Sequence, residues 1–329
     1  KRQASLVTVE TLQPAIDTLS NITNLALQHF PTHPAQFGNT VLGVIKAIIE
    51  GNLVDAAVAQ QAPAFVQRLT SALQGTSWEA LEAATGQNRA QWAEAATVLA
   101  KANRLVILVG NGVLRHPGGD ATVTNLLDLL ILLGKLDKPG CGLGPLAEEN
   151  NDQGAVEMGA VAEFFPGPAP LDDQPVRDRI AAMWREDLPR TPGASLTEML
   201  AAANKGTLKA MFVVGENPVG TLPAAAQAKE ALGKLDLLVC QELFLTETAA
   251  MAHVVLPACS YMEKDGTFTN SEGHVQGVRQ AINPVGDSRP DWEMLSALSV
   301  LMGSPLEYGA AREILKEIRT VIPGYGLLG

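Results

Sequence analysis

The sequence predicts an α/β fold of two pseudo-symmetric lobes, each a mainly parallel, twisted sheet covered by helices. Three observations carry this. Over residues 211–257 apolar runs alternate with an Ala-rich stretch and a short polar one, the β-α-β-α-β order of an open parallel sheet. From Arg104 onward an earlier stretch repeats the order strand, glycine turn, helix. The 329 residues are also enough for two lobes rather than one. The lobes are expected at residues 1–175 and 176–329, with 134–175 as a long crevice loop of the first.

Residues 4–10 (ASLVTVE) read as a buried strand, so the first lobe is expected to lack its N-terminal part and the chain to be a fragment or a subunit cut from a longer ancestor. A second apolar segment covers 24–28. A helix over 40–50 follows from Val41, Val44, Ile45, Ile48 and Ile49 at helical spacing. Thr76 and Glu79 have the spacing of a capping box, for a helix that stops near Gly86. A helix over 88–101 sets Trp92, Ala95, Ala96 and Leu99 on one face and feeds the strand at 104–109 (RLVILV). Gly110-Asn111-Gly112 then reads as a turn that tolerates positive φ and lets backbone approach a ligand. It lacks the third glycine of the dinucleotide fingerprint. A helix over 121–133 follows.

The Gly- and Pro-rich stretch 134–175 cannot be one regular element, and loops of that length in compact domains are usually functional or disordered. Ser195 and Glu198 repeat the capping-box spacing, for a helix ending near Gly206. The strand from Met211 ends in Gly215-Glu216-Asn217-Pro218, at the strand end where open sheets bind ligands. There Pro218 fixes the exit direction and the Asn217 amide can bond a polar ligand edge. A strand over 235–240, a short helix near Thr246 and a strand closing at Pro257 complete the run. Amphipathic helices close the chain near 292–302 and 310–320.

The net charge of −11 argues against a nucleic-acid surface. Cys141, Cys240 and Cys259 are too scattered for a disulfide framework and suggest a reducing compartment. Three isolated thiols also fall short of the roughly four that an iron-sulfur cluster needs. His29 and His33 are too isolated for a zinc site. The longest apolar run, near 126–133, is too short to span a bilayer and is broken by Asp128.

The order and spacing of GENP, TETAAMAHVVLP and EKDGTFTNSEGHVQ resemble the molybdopterin oxidoreductase superfamily, which includes formate dehydrogenases and the large peripheral iron-sulfur subunit of NADH-quinone oxidoreductase. The resemblance implies that Gly215, Glu216, Asn217 and Pro218 contribute to a pterin-dinucleotide site. It also implies that the region of Glu247 and Thr248 holds the guanosine end. The recurrence of strand, glycine turn and helix makes Gly110, Asn111 and Gly112 the matching turn of the other half. Asn150-Asn151-Asp152-Gln153-Gly154-Ala155 with Met158-Gly159 resembles the formate dehydrogenase loop lining the cofactor funnel, so Asn151 and Gln153 join the candidates. His116 is the candidate substrate-pocket residue of a formate-oxidising relative.

Two positions depart from the family. His253 stands where Asp is usual, and His274 where Arg, a fork-shaped phosphate donor, is usual. A histidine opening a strand is read as structural. With no cluster cysteines, these departures favour the large iron-sulfur subunit of NADH-quinone oxidoreductase, respiratory complex I, as part of an oxidoreductase complex. In that setting the segment is a scaffold that binds no cofactor itself, with iron-sulfur clusters only in the missing region or in partner subunits. It docks other subunits of a respiratory electron-transfer complex, cytoplasmic and peripheral to the inner membrane through them. The alternative is part of a molybdenum or tungsten formate dehydrogenase catalytic subunit, holding bis-molybdopterin guanine dinucleotide and oxidising formate to carbon dioxide.

Overall fold

A computed structural model of the chain describes residues 6–10, 26–146, 149–184 and 188–327. It is an α/β structure of parallel strand pairs with helices packed against them. The chain divides into two compact units, Lys1–Glu148 and Glu149–Gly329, so that residues 149–175 group with the second.

In the first unit, β1 (Leu6–Glu10) runs parallel to β2 (Ala26–Pro31). The expected strand's residues 4 and 5, and residues 24 and 25 of the second segment, lie outside the described residues. Helix α1 (Phe37–Glu50) begins three residues before the expected start at residue 40 and buries Val41, Val44, Ile45 and Ile48. Its end is satisfied by the Gly51 N–H, 2.9 Å from the Ala47 carbonyl, after which Asn52 takes the left-handed conformation. Sequence reasoning missed α2 (Ala56–Gln61) and α3 (Pro63–Leu73), although both carry start signals. Asp55 caps α2 through the Ala57 and Val58 N–H groups, at 3.0 and 3.3 Å, and Pro63 opens α3 where no N–H is needed.

The cap of α4 (Trp78–Thr85) is shifted by one residue from the expectation. Ser77, with extended backbone, accepts from the Ala80 N–H at 3.1 Å, whereas Thr76 is the residue whose spacing to Glu79 suggested the motif. Left-handed Gly86 closes this helix as expected. Helix α5 (Arg89–Lys101) opens with a reciprocal Asn88 and Gln91 box and buries Trp92, Ala95 and Ala96.

Strand β3 (Val106–Gly110) leads through the single turn α6 (Asn111–Leu114) and α7 (Gly119–Leu132) to β4 (Gly142–Leu146), with which it pairs in parallel. The glycine turn behaves differently from its expectation. Gly110 and Gly112 are absent from the positive-φ glycines, because Gly110 is an N-cap with extended backbone and the helix starts at once. Gly118, just before the next helix, is the left-handed residue. Ile45, Ile48, Trp92, Leu130 and Leu132 form the centre of the core.

In the second unit, the segment expected to be irregular is a chain of short elements. These are α8 (Asp152–Glu157), the small hairpin of β5 (Phe164–Phe165) and β6 (Ala169–Pro170), and the start of α9 (Gln174–Trp184). Helix α10 (Leu196–Asn204) begins at Ser195 with the expected box, the hydroxyl 3.3 Å from the Glu198 N–H. Strand β7 (Ala210–Val214), the turn α11 (Pro218–Thr221), helix α12 (Ala225–Leu232), β8 (Leu237–Glu242) and β9 (Val254–Pro257) form a parallel sheet of order β7-β8-β9. Val213, Leu238 and Cys240 face Ala203, Ala231 and Leu232 of the helices. The alternate residues Phe212, Val214 and Leu237 lie on the exposed face, as the period of two requires. After β10 (Gly266–Thr269) and β11 (Val275–Val278), an antiparallel pair, come α13 (Asp291–Leu301) and α14 (Ala311–Val321). Among the described residues no helix is long and apolar enough to cross a membrane.

Gly43 tests how tightly the first core is closed. A Cβ there would lie 2.4 Å from the Trp92 ring, and Trp92 is fully buried. Gly43→Ala is expected to destabilise the first unit by roughly 1–3 kcal/mol, while Gly75→Ala, which meets open space, stays within about 0.5 kcal/mol. Equal urea midpoints for the two variants would contradict this packing.

Candidate functional site

The carboxyl ends of β7 and β8 carry the largest group of sequence-predicted residues. Gly215 leaves β7 with φ +62, which a residue with a side chain adopts only under strain, and a Cβ on it would meet no atom within 4 Å. Glu216 follows, its carboxylate accepting from the Asn217 N–H at 3.0 Å and from the Thr221 hydroxyl at 2.8 Å. Pro218 is buried at the start of α11.

Asn217 is the hinge of this arrangement. Its side-chain oxygen accepts from the Thr248 N–H at 3.1 Å and from the Thr248 hydroxyl at 2.8 Å. Its amide nitrogen donates to Glu247 at 2.8 Å. The Thr248 hydroxyl in turn accepts from the Val219 N–H at 3.1 Å. Thr248 is completely buried, so both functions of its hydroxyl are met inside the protein. The Asn217 bond also holds the Glu247 carboxyl below the usual carboxylate range. This differs from the sequence expectation that the Asn217 amide offers itself to a ligand edge. Both ends of that amide are committed internally, and the groups left facing outward are the carboxylates of Glu216 and Glu247 and the open backbone at Gly215.

A second group forms around α8. The side-chain oxygen of Asn151 accepts from the Thr269 N–H at 2.9 Å. Gln153 donates its amide to Glu157 at 2.9 Å, and the Tyr325 hydroxyl bonds the other oxygen of the same carboxylate. The two groups share a device. In Asn217-Pro-Val-Gly220 and Asn151-Asp-Gln-Gly154 the asparagine packs on a glycine three residues later. A Cβ at Gly220 would lie 2.2 Å from the Asn217 amide nitrogen, and one at Gly154 would lie 2.3 Å from the Asn151 amide oxygen.

In the first unit, His116 lines a cavity of about 220 Å³ together with Phe37, Asn39, Leu42, Val113 and Thr122. Its Nδ1 lies 2.7 Å from the Pro117 carbonyl, a pure acceptor. Nδ1 therefore donates in that bond, and Nε2 is the ring atom it leaves unengaged. Asn111 and the glycines beside it are on the short helix before this cavity.

The two unusual histidines have local explanations. His253 Nδ1 accepts from the Leu238 N–H at 2.9 Å while its backbone N–H donates to the Leu238 carbonyl at 2.8 Å, so it serves the β8 to β9 pairing. His274 is exposed, 3.3 Å from Glu272, at the tip of a turn organised by the Asn270 side chain.

Sequence reasoning did not single out Gln241, Asp291, Glu157 or Tyr325. Gln241, at the carboxyl end of β8, is 1 % exposed and donates to Asp291 at 2.7 Å; Lys264 pairs with the other oxygen of Asp291. The side-chain oxygen of Gln241 is buried and takes no hydrogen bond among the described residues. The only signal available was its place at a strand end. Glu157 and Tyr325, 168 positions apart, carry no joint signal at all.

The set of acceptors suits a nucleoside-bearing ligand. Two outward carboxylates can accept from sugar hydroxyls or base N–H groups, the glycine backbone is open on its Cβ side, and the orphaned Gln241 oxygen lies at the end of the neighbouring strand. Among the described residues no grouping of three or more His, Cys, Asp or Glu could itself hold a metal ion.

A family model described as molybdopterin oxidoreductase matches residues 7–300. The chain is 34% identical over 284 residues to the F420-dependent formate dehydrogenase subunit alpha of Methanocaldococcus jannaschii, covering 86% of this chain and 42% of that protein. It is 33% identical over 279 residues to formate dehydrogenase H of Escherichia coli, covering 84% and 39%. The chain thus spans less than half the length of these relatives. Acetylene hydratase from Pelobacter acetylenicus has the same fold, with a TM-score of 0.73 over 98% of this chain and 46% of that one, at 17% identity.

These findings correct two expectations. The relatives are named formate dehydrogenases, which overturns the reading as a scaffold region of the large iron-sulfur subunit of complex I. The match to molybdopterin oxidoreductases likewise overturns the expectation that the segment holds no cofactor. The departures at His253 and His274 misled because each histidine answers to its own turn or strand rather than to loss of a ligand.

Removing the Asn217 side chain strands the buried Thr248 N–H and hydroxyl. Asn217→Ala is expected to cost about 1–3 kcal/mol in chemical unfolding. Asn217→Asp, which keeps the acceptor but sets a carboxylate against Glu247, should also destabilise, and the loss should shrink with added salt.

A pH dependence follows from Glu263, whose oxygens accept from the Ser260 N–H at 2.7 Å and the Val285 N–H at 2.8 Å. The Ser260 N–H holds its carboxyl below the ordinary 4.5. A depressed folded-state value means that the ionised form stabilises the fold above the unfolded value and that this contribution is lost as pH falls through the folded one. The melting-temperature deficit of Glu263→Gln should be constant near neutral pH and shrink below 4.5; a deficit that grows on acidification would contradict the assignment.

Proposed function

The chain belongs to the molybdopterin oxidoreductase family, and on that premise we propose that it is part of a molybdenum or tungsten formate dehydrogenase catalytic subunit that oxidises formate to carbon dioxide. The observation that carries this is the likeness to formate dehydrogenases across more than four fifths of the chain. The cofactor is a bis-molybdopterin guanine dinucleotide with molybdenum or tungsten, which when bound supplies the site for the two-electron oxidation.

The residues of this chain have binding and shaping roles in that reading. Glu216 and Glu247 accept hydrogen bonds from the sugar or base of a nucleotide, held in place by Thr221 and Asn217 respectively. Gly215 lets backbone come close, since its φ of +62 admits no side chain without strain. Asn151, at the N-cap of α8, and Gln153 within it are the further ligand contacts of this reading. In the first unit the Asn111 turn and the His116 cavity form the other candidate region, where the His116 Nε2 is the ring atom available to a small polar substrate. Relatives named as alpha subunits support assembly with partner subunits that take up the electrons.

Native protein purified with its partners is expected to carry stoichiometric molybdenum or tungsten, to release fluorescent pterin on acid treatment, and to reduce a dye when formate is added. Metal and pterin without formate-dependent reduction would keep the cofactor and overturn the substrate. Absence of both metal and pterin would overturn the whole reading.

A further inference from the structure

We propose that Tyr325 is a positioning residue: bonded to Glu157 and set against Thr269, it holds the segment carrying Asn151 and Gln153 in its ligand-facing shape. The inference rests on the reading that this segment faces the cofactor, and it adds a residue outside every stretch on which the resemblance was drawn.

Both ends of the motif converge on one phenol. Glu157 divides its carboxylate, one oxygen taking the Gln153 amide at 2.9 Å and the other the Tyr325 hydroxyl. Thr269 lies 3.4 Å from the same hydroxyl through its Oγ1 and donates its N–H to Asn151 at 2.9 Å. Tyr325 therefore fixes Gln153 through Glu157, and adjoins the residue that fixes Asn151. With its nitrogen engaged, Gln153 keeps its carbonyl oxygen as the group able to accept from a ligand N–H.

The phenol is itself well anchored. Tyr325 is 9 % exposed, its N–H donates to the Ile322 carbonyl at 3.0 Å, and Val321, at the end of α14 just upstream, sits in a core with Phe165, Leu171, Ile180 and Leu188. Burial, reinforced by Glu157, pushes its phenol up from the ordinary value, so it stays a donor at neutral pH. A hydrogen bond to a carboxylate in a partly desolvated place is among the stronger kinds.

The molecule supplies its own control. Tyr308 donates to Glu317 at 2.6 Å, and its phenol is pushed up to about 12 by burial and that carboxylate. The other oxygen of Glu317 takes the Trp184 indole at 2.8 Å and leads to no part of the motif. The chemistry is the same and the destination is different.

Tyr325→Phe and Tyr308→Phe would be compared in the full-length protein by amide hydrogen exchange over residues 149–159 and by molybdenum, tungsten and pterin content. Tyr325→Phe is expected to speed exchange in that segment about tenfold and to lower cofactor content several-fold, with Tyr308→Phe at the wild-type level in both. Equal exchange in the two variants overturns the proposal, and so does faster exchange with undiminished cofactor. If wild-type protein carries neither metal nor pterin, the formate dehydrogenase reading falls, and the exchange comparison alone decides whether Tyr325 positions the segment.

Discussion

The hydroxyl of Thr248 lies out of reach of water, so its donor and its acceptor function must both be met by protein. Asn217 takes the first and the Val219 N–H supplies the second. From this follow the placement of the turn after β7, the direction in which α11 leaves it, and the position of Glu247. A carboxylate next to an amide that is already locked has little freedom, and Glu216 is held in the same way by Thr221. The strand ends therefore present two preset acceptors. Pre-setting matters for binding because side chains already ordered cost no further entropy when a ligand arrives.

The same solution recurs at Asn151, which accepts from the Thr269 N–H as Asn217 accepts from the Thr248 N–H. Each asparagine lies against a glycine three residues on, with no room for a methyl group between them. A side chain on either glycine would displace the amide from these bonds. The glycines of these motifs are thus explained by close approach of a side chain rather than by backbone φ, for neither Gly154 nor Gly220 is among the positive-φ residues. Gly215 is the contrasting case, required for its left-handed conformation.

Much of the fold was legible from the residues. The β7 to β9 run, the helices at Ser195 and Asn88 and the stop at Gly86 follow from local signals, because caps, glycine stops and apolar periodicity act within a few residues. Other features were misread for equally local reasons. Thr76 and Ser77 are both hydroxyl residues ahead of a helix, and only the backbone angles decide which one caps. Gly110-Asn111-Gly112 has turn composition yet lies in a helix start, since the strand feeds directly into α6. The choice between the two oxidoreductase groups rested on His253 and His274, and a histidine bonded to Leu238 for the sake of strand pairing says nothing about a cofactor.

By itself the sequence determined the α/β class, the parallel β-α-β order, the ends of several helices and the family resemblance, because these are carried by patterns of residues close together in the chain. Only the tertiary structure decided which polar groups remain available. It spent both ends of the Asn217 amide on Glu247 and Thr248, left the Gln241 oxygen buried without a partner among the described residues, and brought Tyr325 to Glu157 across 168 positions. A hydrogen-bonding group is free or committed according to what the fold sets within about 3 Å of it, and no spacing along the chain encodes that distance.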